Sequence, residues 1–418
     1  MITQIKKRDG SVVDYDLNKI TNAILKANAE TNEFLEDSID TLVDDVDSLL
    51  EEKDETLTVE CVQDTVEDVL LGSEYKATAK AYILYRDQRR RGRQSDIFEP
   101  RITLKPYEYP NLIEYQHAIQ HSYWLHTEFN YTSDIQDFNI NVSNKERNAI
   151  KNAMLAIAQV EVAVKNFWGD LHNRMPKPEV GAVGSTFAAN EVIHHDAYSH
   201  LLEILGLNNE FEKIKDIPEL NDRVNYLTDA TRLVKSEGNK DFTKSLILFS
   251  LFIEYVSLFS QFLVIMSFNK YKNLFKGISS VIEATSKEEN IHGMFGTELI
   301  NIIKEENPEW FTEELEQEVI ESCFKAYKTE EKVIDWIFED GELDFLPKDT
   351  VKEFIKDRFN LALKGIGFKE IFEIDTETIE STDWFSDELI GTKHGDFFVK
   401  RSINYNKRSK SITSDDLF

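Results

Sequence analysis

The feature that most constrains the fold is a repeated order of side chains: Glu, then Glu-x-x-His, then Glu, then Glu-x-x-His. The residues in this order are Glu161, Glu191, His194, Glu254, Glu289 and His292. Positions three apart lie on one face of an α-helix, so each Glu-x-x-His pair presents a carboxylate and an imidazole together. Glu161 and Glu254 lie in largely apolar stretches, where an unpaired buried charge is costly. The order predicts four helices that hold metal ions between them.

Chance accounts for only one such pair. At this acidic composition a Glu precedes a His by three residues in roughly one case in ten, and the chain has nine histidines. Three pairs occur, because Glu114 and His117 also match. That pair has no lone apolar-flanked carboxylate upstream, so we interpret it as a solvated face. Oxygen-rich ligand sets with one imidazole per metal suit iron or manganese. The predicted fold class is mainly α, a ferritin-like helical bundle with a dinuclear metal site.

Length and charge narrow the class further. At 418 residues the chain is longer than the length at which a single compact core usually stops growing. This length predicts a main domain with an appended module. The formal net charge of -29 argues against nucleic acid as a partner, because phosphate binding needs clustered cations. Cys61 and Cys323 form no CxxC pair. The first residues lack the apolar region of a signal peptide. We therefore expect a cytoplasmic protein.

One apolar stretch, residues 246–268, is long enough to span a bilayer. Glu254 lies near its centre, and a carboxylate in mid-bilayer costs a few kcal/mol. A helix that is apolar all round is also typical of a bundle core, where other helices surround it. We predict a core helix and no membrane contact.

The chain divides into four predicted parts. Residues 1–92 show a strand-turn-strand signal and then amphipathic helices, which indicates a small α+β domain. The segment RDQRRRGRQSDIFEPR, from Arg86 to Arg101, lacks apolar periodicity and is interpreted as a linker, which the division into domains places at 93–106. Long helical segments with few glycines fill 107–375. The polar, charged residues 376–418 are typical of a flexible tail.

Tyr198 follows His194 by four residues and therefore lies on the same helix face, beside the metals. By itself this residue is equally well interpreted as a core tyrosine. From about Tyr107 to Phe418 the chain resembles the radical-generating small subunit of class I ribonucleotide reductase. The resemblance rests on the ligand order, on Tyr198, and on Trp124 in the upstream stretch HSYWLHTEF.

The resemblance implies the remaining roles. Trp124 and Glu288 would carry the radical from the metals, and Tyr405 in the tail would relay it to the large (alpha) subunit. The last residues, SITSDDLF, would dock on that subunit, and the small subunit would be a homodimer. Glu161 and Glu288 stand where the family more often has Asp. A glutamate at 161 favours Mn/Mn over Fe/Fe and leaves open whether the oxidant is a radical on Tyr198 or a metal-centred state.

The N-terminal part resembles an ATP-cone through KKRDGSVVDYDLNKI, TVECVQDTVEDVL and AKAYILYRDQR. The resemblance implies that ATP permits activity and that dATP drives the protein into a larger, inactive oligomer. Cations near a glycine turn offer phosphate contacts, and polar side chains offer base or sugar contacts. The predicted contacts are Lys7, Arg8, Asp16, Lys19, Thr58, Lys80 and Arg86.

Two other functions remain open from the sequence. A dimetal oxidase or ferroxidase with a nucleotide-sensing domain would keep all six ligands but would not need Trp124 or Tyr405. A purely structural or binding protein would have its carboxylates solvated. The burial of the six side chains separates this last possibility from the others.

Overall fold

Helices dominate the chain, as the apolar periodicity predicts. The computed structural model describes residues 2, 4–6, 12–34, 39–51, 53, 57–94, 96–232 and 238–390. The chain separates into two compact units, Met1–Asp96 and Ile97–Phe418. Each unit has its own apolar core.

The first unit is the predicted α+β domain. Strands β1 (Gln4–Lys6) and β2 (Val12–Asp14) pair antiparallel, with Gln4 opposite Asp14. Four helices follow: α1 (Leu17–Thr31), α2 (Ile39–Glu51), α3 (Val59–Gly72) and α4 (Lys76–Gln94). Their apolar faces meet in a core that includes the fully buried Ile24, Val46 and Leu70.

The last helix of this unit is longer than the sequence predicts. The interpretation of Arg86 onward as linker is wrong for its first part, since α4 continues to Gln94. Arginine and glutamine are good helix formers even without an apolar stripe, and the Arg86 guanidinium pairs with Asp64 and Glu67 on α3. The predicted linker, 93–106, thus begins in the last turn of α4, and Ile97 is fully buried in the larger core.

The second unit contains the predicted bundle and extends beyond it: the prediction of a flexible tail from residue 376 is wrong for residues 376–390, which form two helices with Phe385 fully buried. Its helices are α5 (Ile113–His121), α6 (Thr132–Gln136), α7 (Asn144–Gly169), α8 (Leu171–Arg174), α9 (Pro178–Ile204), α10 (Asn208–Glu212), α11 (Pro218–Thr231), α12 (Asn239–Ile247), α13 (Phe259–Lys272), α14 (Lys276–Glu306), α15 (Glu313–Ile337), α16 (Lys348–Gly365), α17 (Thr376–Glu380) and α18 (Asp383–Ile390). A π-helical segment, Leu248–Ser257, joins α12 to α13. Helix α7 packs against α9, and the π-helical segment packs against α14.

The apolar stretch that could span a membrane is a core helix, as predicted. Among the described residues, one continuous helical run, Asn239–Lys272, meets the length and hydropathy of a span, with a mean hydropathy of 1.8. Its most apolar window is 94% buried inside the protein. Such burial explains an apolar surface on every side without a bilayer.

Helix α14 begins at a fixed point because two buried carboxylates bind N–H groups at its start, and one of them, Asp137, accepts from the Phe275 N–H at 2.9 Å. Asp134 accepts hydrogen bonds from the N–H groups of Ile278 (2.8 Å) and Gly277 (3.2 Å). A Cβ at Gly277 would lie 2.4 Å from the Asn130 carbonyl oxygen, so only glycine fits. Burial raises the pKa of Asp134, although these bonds oppose the rise. The contacts fix the axial position of the helix.

Helix α9 is anchored at its first turn in a similar way. Glu179 is fully buried and accepts hydrogen bonds from the Arg101 guanidinium (2.9 Å) and from the N–H groups of Glu108 (2.9 Å) and Tyr109 (3.1 Å). Burial opposes ionisation of Glu179, but Arg101 and the N–H groups outweigh it and lower its pKa. A carboxylate at a helix N-terminus is also stabilised by the helix dipole.

Glu179→Gln should lower the free energy of unfolding of the larger unit by about 3 kcal/mol, because the largely buried Arg101 loses its nearer carboxylate partner and keeps only Glu108, at 3.7 Å. All five tryptophans of the chain lie beyond residue 97, so urea unfolding followed by tryptophan fluorescence reports on this unit. Glu210→Gln is the matched control, since Glu210 and its partner Lys213 are 44% and 63% exposed. It should change stability by less than about 0.5 kcal/mol.

The same variant carries a pH signature. Folding lowers the pKa of Glu179, so its contribution is present above the ordinary value of 4.5 and is lost as the pH falls through the folded value. The stability difference between wild type and E179Q should therefore shrink as the pH is lowered from 4.5. A difference that stays constant over that range would show that the charge of Glu179 is not what stabilises the helix start.

Candidate metal centre

The six side chains of the repeated order meet in the core of the bundle. Glu161 comes from α7, Glu191 and His194 from α9, Glu254 from the π-helical segment, and Glu289 and His292 from α14. Each is at most 1% exposed. Their ligand atoms form two groups, each with all atoms within 4.8 Å of one another. One group is Glu161, Glu191, His194 and Glu289, and the other is Glu191, Glu254, Glu289 and His292.

Both imidazoles turn the same ring nitrogen to the carboxylates. His194 Nδ1 lies 2.9 Å from a Glu289 oxygen and 3.4 Å from a Glu191 oxygen. His292 Nδ1 lies 3.0 Å from Glu191 and 3.3 Å from both Glu254 and Glu289. Glu191 and Glu289 thus face both histidines. This arrangement has two positions, each with one imidazole and three carboxylates, and two carboxylates common to both.

The electrostatics of the cluster fit divalent cations. Both carboxylate oxygens of Glu161, Glu191 and Glu289 are buried without a hydrogen-bond partner among the described residues. Burial and the neighbouring carboxylates raise the pKa of Glu161 and Glu254. Burial opposes protonation of the imidazoles, yet the surrounding carboxylates raise the pKa of His194. Metal binding would displace these protons, and the four carboxylates with two neutral imidazoles would then carry four negative charges, which two divalent cations would neutralise.

Glu254 lies in a backbone conformation that the sequence does not predict. The ten residues Leu248–Ser257 form a π-helix. This conformation is rare in proteins overall, and where it occurs it is often at a functional site. The segment approaches α14 closely, because a Cβ at Gly293 would lie 2.5 Å from the Tyr255 ring and one at Gly296 would lie 2.2 Å from the Ser250 Cβ. Two glycines three residues apart on α14 are therefore the sequence signal for this contact.

A buried polar network holds the end of the π-helical segment. The Arg223 guanidinium contacts Glu330 at 2.8 Å, and both side chains are at most 1% exposed. With its amide oxygen towards Arg223 (3.0 Å), Gln261 donates to the Ser257 carbonyl at 2.9 Å. The Ser257 hydroxyl donates to the Phe252 carbonyl, five residues back, at 2.8 Å. The network thus provides side-chain hydrogen bonds to the Ser257 and Phe252 carbonyls, which in a regular α-helix would accept backbone N–H groups.

Glu288 connects Trp124 to His194 on the outer side of the cluster. The Trp124 indole Nε1 donates to Glu288 Oε2 at 2.9 Å, and His194 Nε2 lies 2.8 Å from the same oxygen. The two rings are stacked, with centroids 6.2 Å apart and planes inclined by 22°. Sequence reasoning missed two further neighbours: Ser122, whose hydroxyl donates to Glu288 Oε1 at 3.2 Å, and Asn190. Neither has a periodic pattern that would single it out.

Tyr198 lies one turn beyond His194, as predicted, and is 1% exposed. Its hydroxyl meets the geometry of a hydrogen bond with no described residue, although the Thr285 hydroxyl is close enough to counter part of its pKa rise. Burial, and next the nearby Glu161 carboxylate, raise the pKa of Tyr198. The phenol is therefore neutral and sits within the electric field of Glu161.

An apolar wall covers the other side of the cluster. The Phe187 ring lies 4.1 Å from the His292 ring, and the Trp168 ring lies 5.9 Å from it. Phe295 packs against both of these aromatic side chains. All three are fully buried. Water is excluded from this side, which strengthens electrostatic interactions among the carboxylates and imidazoles.

Glu114, His117 and His195, which are not among the six predicted ligands, lie outside the cluster. Glu114 and His117 form an exposed pair, 55% and 47% exposed. His195, next to His194, is exposed and lies about 100° around α9 from it. Of the three Glu-x-x-His pairs, two are buried at the site and one is exposed on the surface.

In the first unit, three predicted nucleotide contacts have local structural partners. Asp16 caps α1 by accepting a hydrogen bond from the Asn18 N–H at 3.1 Å. Thr58 caps α3 by accepting one from the Cys61 N–H at 3.2 Å. The Arg86 guanidinium is engaged by two carboxylates of α3, as described above. A phosphate at Arg86 would have to compete with these carboxylates.

The other predicted contacts differ in what the structure describes. Lys19 and Lys80 are exposed and thus accessible to a ligand. Lys7 and Arg8 lie outside the described residues, and so does the predicted relay residue Tyr405.

A ferritin-like bundle with a buried carboxylate and histidine cluster defines a class of proteins that bind metal in the bundle core. The chain matches the family described as "Ribonucleotide reductase, small chain" over residues 101–379, and "ATP cone domain" over residues 3–91. The chain therefore belongs to the ribonucleotide reductase small chain family and carries an ATP-cone domain. The predicted fold class and resemblance are confirmed.

Individual relatives agree. The probable ribonucleoside-diphosphate reductase small subunit of Invertebrate iridescent virus 3 is 27% identical over 337 residues, which cover 77% of this chain and 88% of the relative. The beta subunit from Chlamydia pneumoniae is 27% identical over 311 residues, 70% of this chain and 88% of the relative. The R2 subunit of Clostridium botulinum superposes with a TM-score of 0.61 at 20% identity, covering 66% of this chain and 88% of that one.

Family membership sets the enzyme class and its general partners. The chain is a small subunit of ribonucleoside-diphosphate reductase, an oxidoreductase. Membership implies a large subunit as partner and a dimer of small subunits. The buried cluster fits the metal site expected of such a subunit.

Proposed function

We propose that this chain generates and stores an oxidising equivalent at a dinuclear metal site and passes it to the large subunit for deoxyribonucleotide synthesis. The observation that carries the proposal is the pair of four-ligand groups that share Glu191 and Glu289. Glu191 and Glu289 would be ligands common to two ions, and a pair of ions held in this way would supply redox chemistry.

The ligands divide between two positions. Glu161 and His194 would complete the first position and Glu254 and His292 the second, with Glu191 and Glu289 common to both. An oxygen-rich set accommodates manganese or iron. The resemblance at Glu161 favours Mn/Mn, with Fe/Fe as the second choice. When bound, the ions supply the one-electron oxidant that the surrounding side chains hold in place and transmit.

The exit route begins at the stacked pair of rings. Glu288 fixes the Trp124 indole against the His194 imidazole through its Oε2 atom. An electron from the indole then has a short path to the cluster. The indole N–H has an acceptor for its proton in Glu288 Oε2, which lies 2.9 Å from Trp124 Nε1. Tyr405 would continue the relay to the large subunit.

The stored equivalent is proposed to reside on the metals, with Tyr198 as the alternative location. Oxidation of a buried neutral phenol requires an acceptor for its proton. The Tyr198 hydroxyl makes no regular hydrogen bond to a described residue, its neighbour Thr285 offers only a weakly basic hydroxyl, and the nearby Glu161 is already a proposed ligand. This arrangement favours a metal-centred oxidant, and an electron paramagnetic resonance spectrum of the active protein distinguishes the two.

The ATP-cone is proposed to regulate activity, with ATP permitting it and dATP driving a higher, inactive oligomer of the homodimer. Exposed Lys19 and Lys80 are proposed phosphate contacts, together with Lys7, Arg8 and Arg86. Asp16 and Thr58 are proposed contacts for base or sugar. The free thiols of Cys61 and Cys323 support a reducing, cytoplasmic setting.

Metal stoichiometry tests the shared ligands. After anaerobic loading with Mn(II), wild type should hold two ions per chain by elemental analysis. Glu161→Ala and Glu254→Ala should each retain about one, whereas Glu191→Ala should retain fewer than one because both positions lose a ligand. Glu114→Ala, which removes the exposed pair, should still hold two. Less than one ion in wild type would exclude the dinuclear site.

Trp124→Phe and Tyr405→Phe test the relay. Both variants should keep two metals but lose ribonucleotide reduction with the large subunit, because phenylalanine has neither the indole N–H nor the phenol. Tyr123→Phe, at an exposed neighbouring position, should remain active. The rate of Fe(II) oxidation is measured in parallel. Full reductase activity in both relay variants would instead favour the oxidase or ferroxidase function.

Size-exclusion chromatography of the full chain tests the regulation. The dATP-bound protein should elute as a larger species than the ATP-bound protein. Lys19→Ala and Lys80→Ala should each require roughly tenfold more dATP for the same shift, since a charged hydrogen bond to phosphate is lost. Lys213→Ala, a surface lysine of the other unit, serves as control. Superimposable ATP and dATP profiles would contradict dATP-driven assembly.

A further inference from the structure

Asn190 lies between the two histidines of the cluster without being one of the six ligands. It precedes the shared Glu191 on α9 and is 2% exposed. Its amide Nδ2 donates to Glu288 Oε2 at 3.0 Å, and its Oδ1 lies 3.1 Å from His292 Nε2. Glu288 Oε2 lies 2.8 Å from His194 Nε2. Asn190 and Glu288 thus link the outer nitrogens of both imidazoles.

The direction of each bond follows from which groups can only donate. The Trp124 indole N–H can only donate, so Glu288 Oε2 is an acceptor. Asn190 must therefore present its NH₂ group to Glu288 and its carbonyl oxygen to His292. A carbonyl oxygen accepts only, so His292 Nε2 must carry a proton. Its Nδ1 is then the nitrogen with a free electron pair, directed at Glu191, Glu254 and Glu289.

The surroundings of His292 offer no substitute for Asn190. The rings nearest to it are Phe187 and Trp168, at 4.1 and 5.9 Å between centroids. Among the described residues, Asn190 is the one hydrogen-bond partner of His292 Nε2. An imidazole whose outer N–H lacks an acceptor in an apolar site loses its preference for one tautomer and orientation.

We propose that Asn190 is a positioning residue that selects the Nε2–H tautomer of His292 and thereby prepares the second metal position. The inference rests on the proposed dimetal function. The same amide orients Glu288, so one side chain connects the second metal position to the Trp124 exit route. Hydrogen bonds of this kind typically change metal affinity by 10- to 100-fold.

Two substitutions separate the two bonds. Asn190→Leu has a similar size and removes both. Asn190→Asp keeps an acceptor for His292 Nε2 but cannot donate to Glu288. Ser122→Ala removes a different side-chain bond to Glu288, the one at Oε1, and leaves the contacts of His292 unchanged. His195→Gln, at an exposed position on the same helix, is the control for substitution in α9.

The measurement is an anaerobic Mn(II) titration of the full chain, followed by electron paramagnetic resonance. Wild type, H195Q, S122A and N190D should bind two ions and give the signal of a coupled pair. N190L should bind its second ion 10- to 100-fold more weakly and give the signal of isolated Mn(II) at concentrations that saturate wild type. Circular dichroism checks the fold, and N190S, too short for both contacts, replaces N190L if the latter does not fold.

The outcomes distinguish this inference from the function on which it rests. A wild-type protein that fails to bind two ions contradicts the proposed function. Two ions bound to N190L or N190S with wild-type affinity overturn the role of Asn190 alone. Loss of the second ion in N190D as well would overturn the tautomer assignment, because the acceptor for His292 would then not be what matters.

Discussion

The structure depends on the confinement of four carboxylates within a few ångströms of one another and away from water. Glu161, Glu191, Glu254 and Glu289 come from four separate helical elements, so their negative charges would repel one another and oppose the packing of those elements unless protons or cations neutralise them. The bundle must therefore be held together by contacts that do not involve the cluster. The large apolar core supplies most of that stability.

Polar contacts then fix the axial position of each helix. Apolar packing alone does not, because apolar side chains can pack in several similar arrangements. The Glu179 carboxylate fixes the start of α9, Asp134 fixes the start of α14, and Arg223 with Glu330 fixes the end of the π-helical segment. Each of these devices is buried, and each satisfies backbone or side-chain groups that would otherwise lack partners. The ligand geometry is thus determined at the ends of helical elements, about three turns from the ligands on α9 and α14 and within one turn of Glu254.

Sequence reasoning succeeded where chemistry follows a period and failed where it follows a single contact. The spacing of Glu191 and His194 is a helical period, so the ligands could be predicted and are found together. Asn190 and Ser122 act through one bond each and carry no period. The π-helical segment could not be predicted from the sequence. A run that is apolar on every side has no polar face whose spacing would reveal the extra residue in each turn. In the first unit, Asp16 and Thr58 have helix-capping roles that their sequence context alone does not separate from ligand contacts.

The π-helical segment also determines how the chain can change in length. Each residue turns an α-helix by about 100°, so removing one residue ahead of Glu254 would swing the glutamate away from the cluster or force the rest of the helix to turn. The segment has no room to drift, because Gly293 and Gly296 seat Tyr255 and Ser250 directly on α14. Substitutions of many kinds can be absorbed in this apolar run, but insertions and deletions cannot. The number of residues from Ser250 to Tyr255 is therefore as much a part of the site as the ligands are.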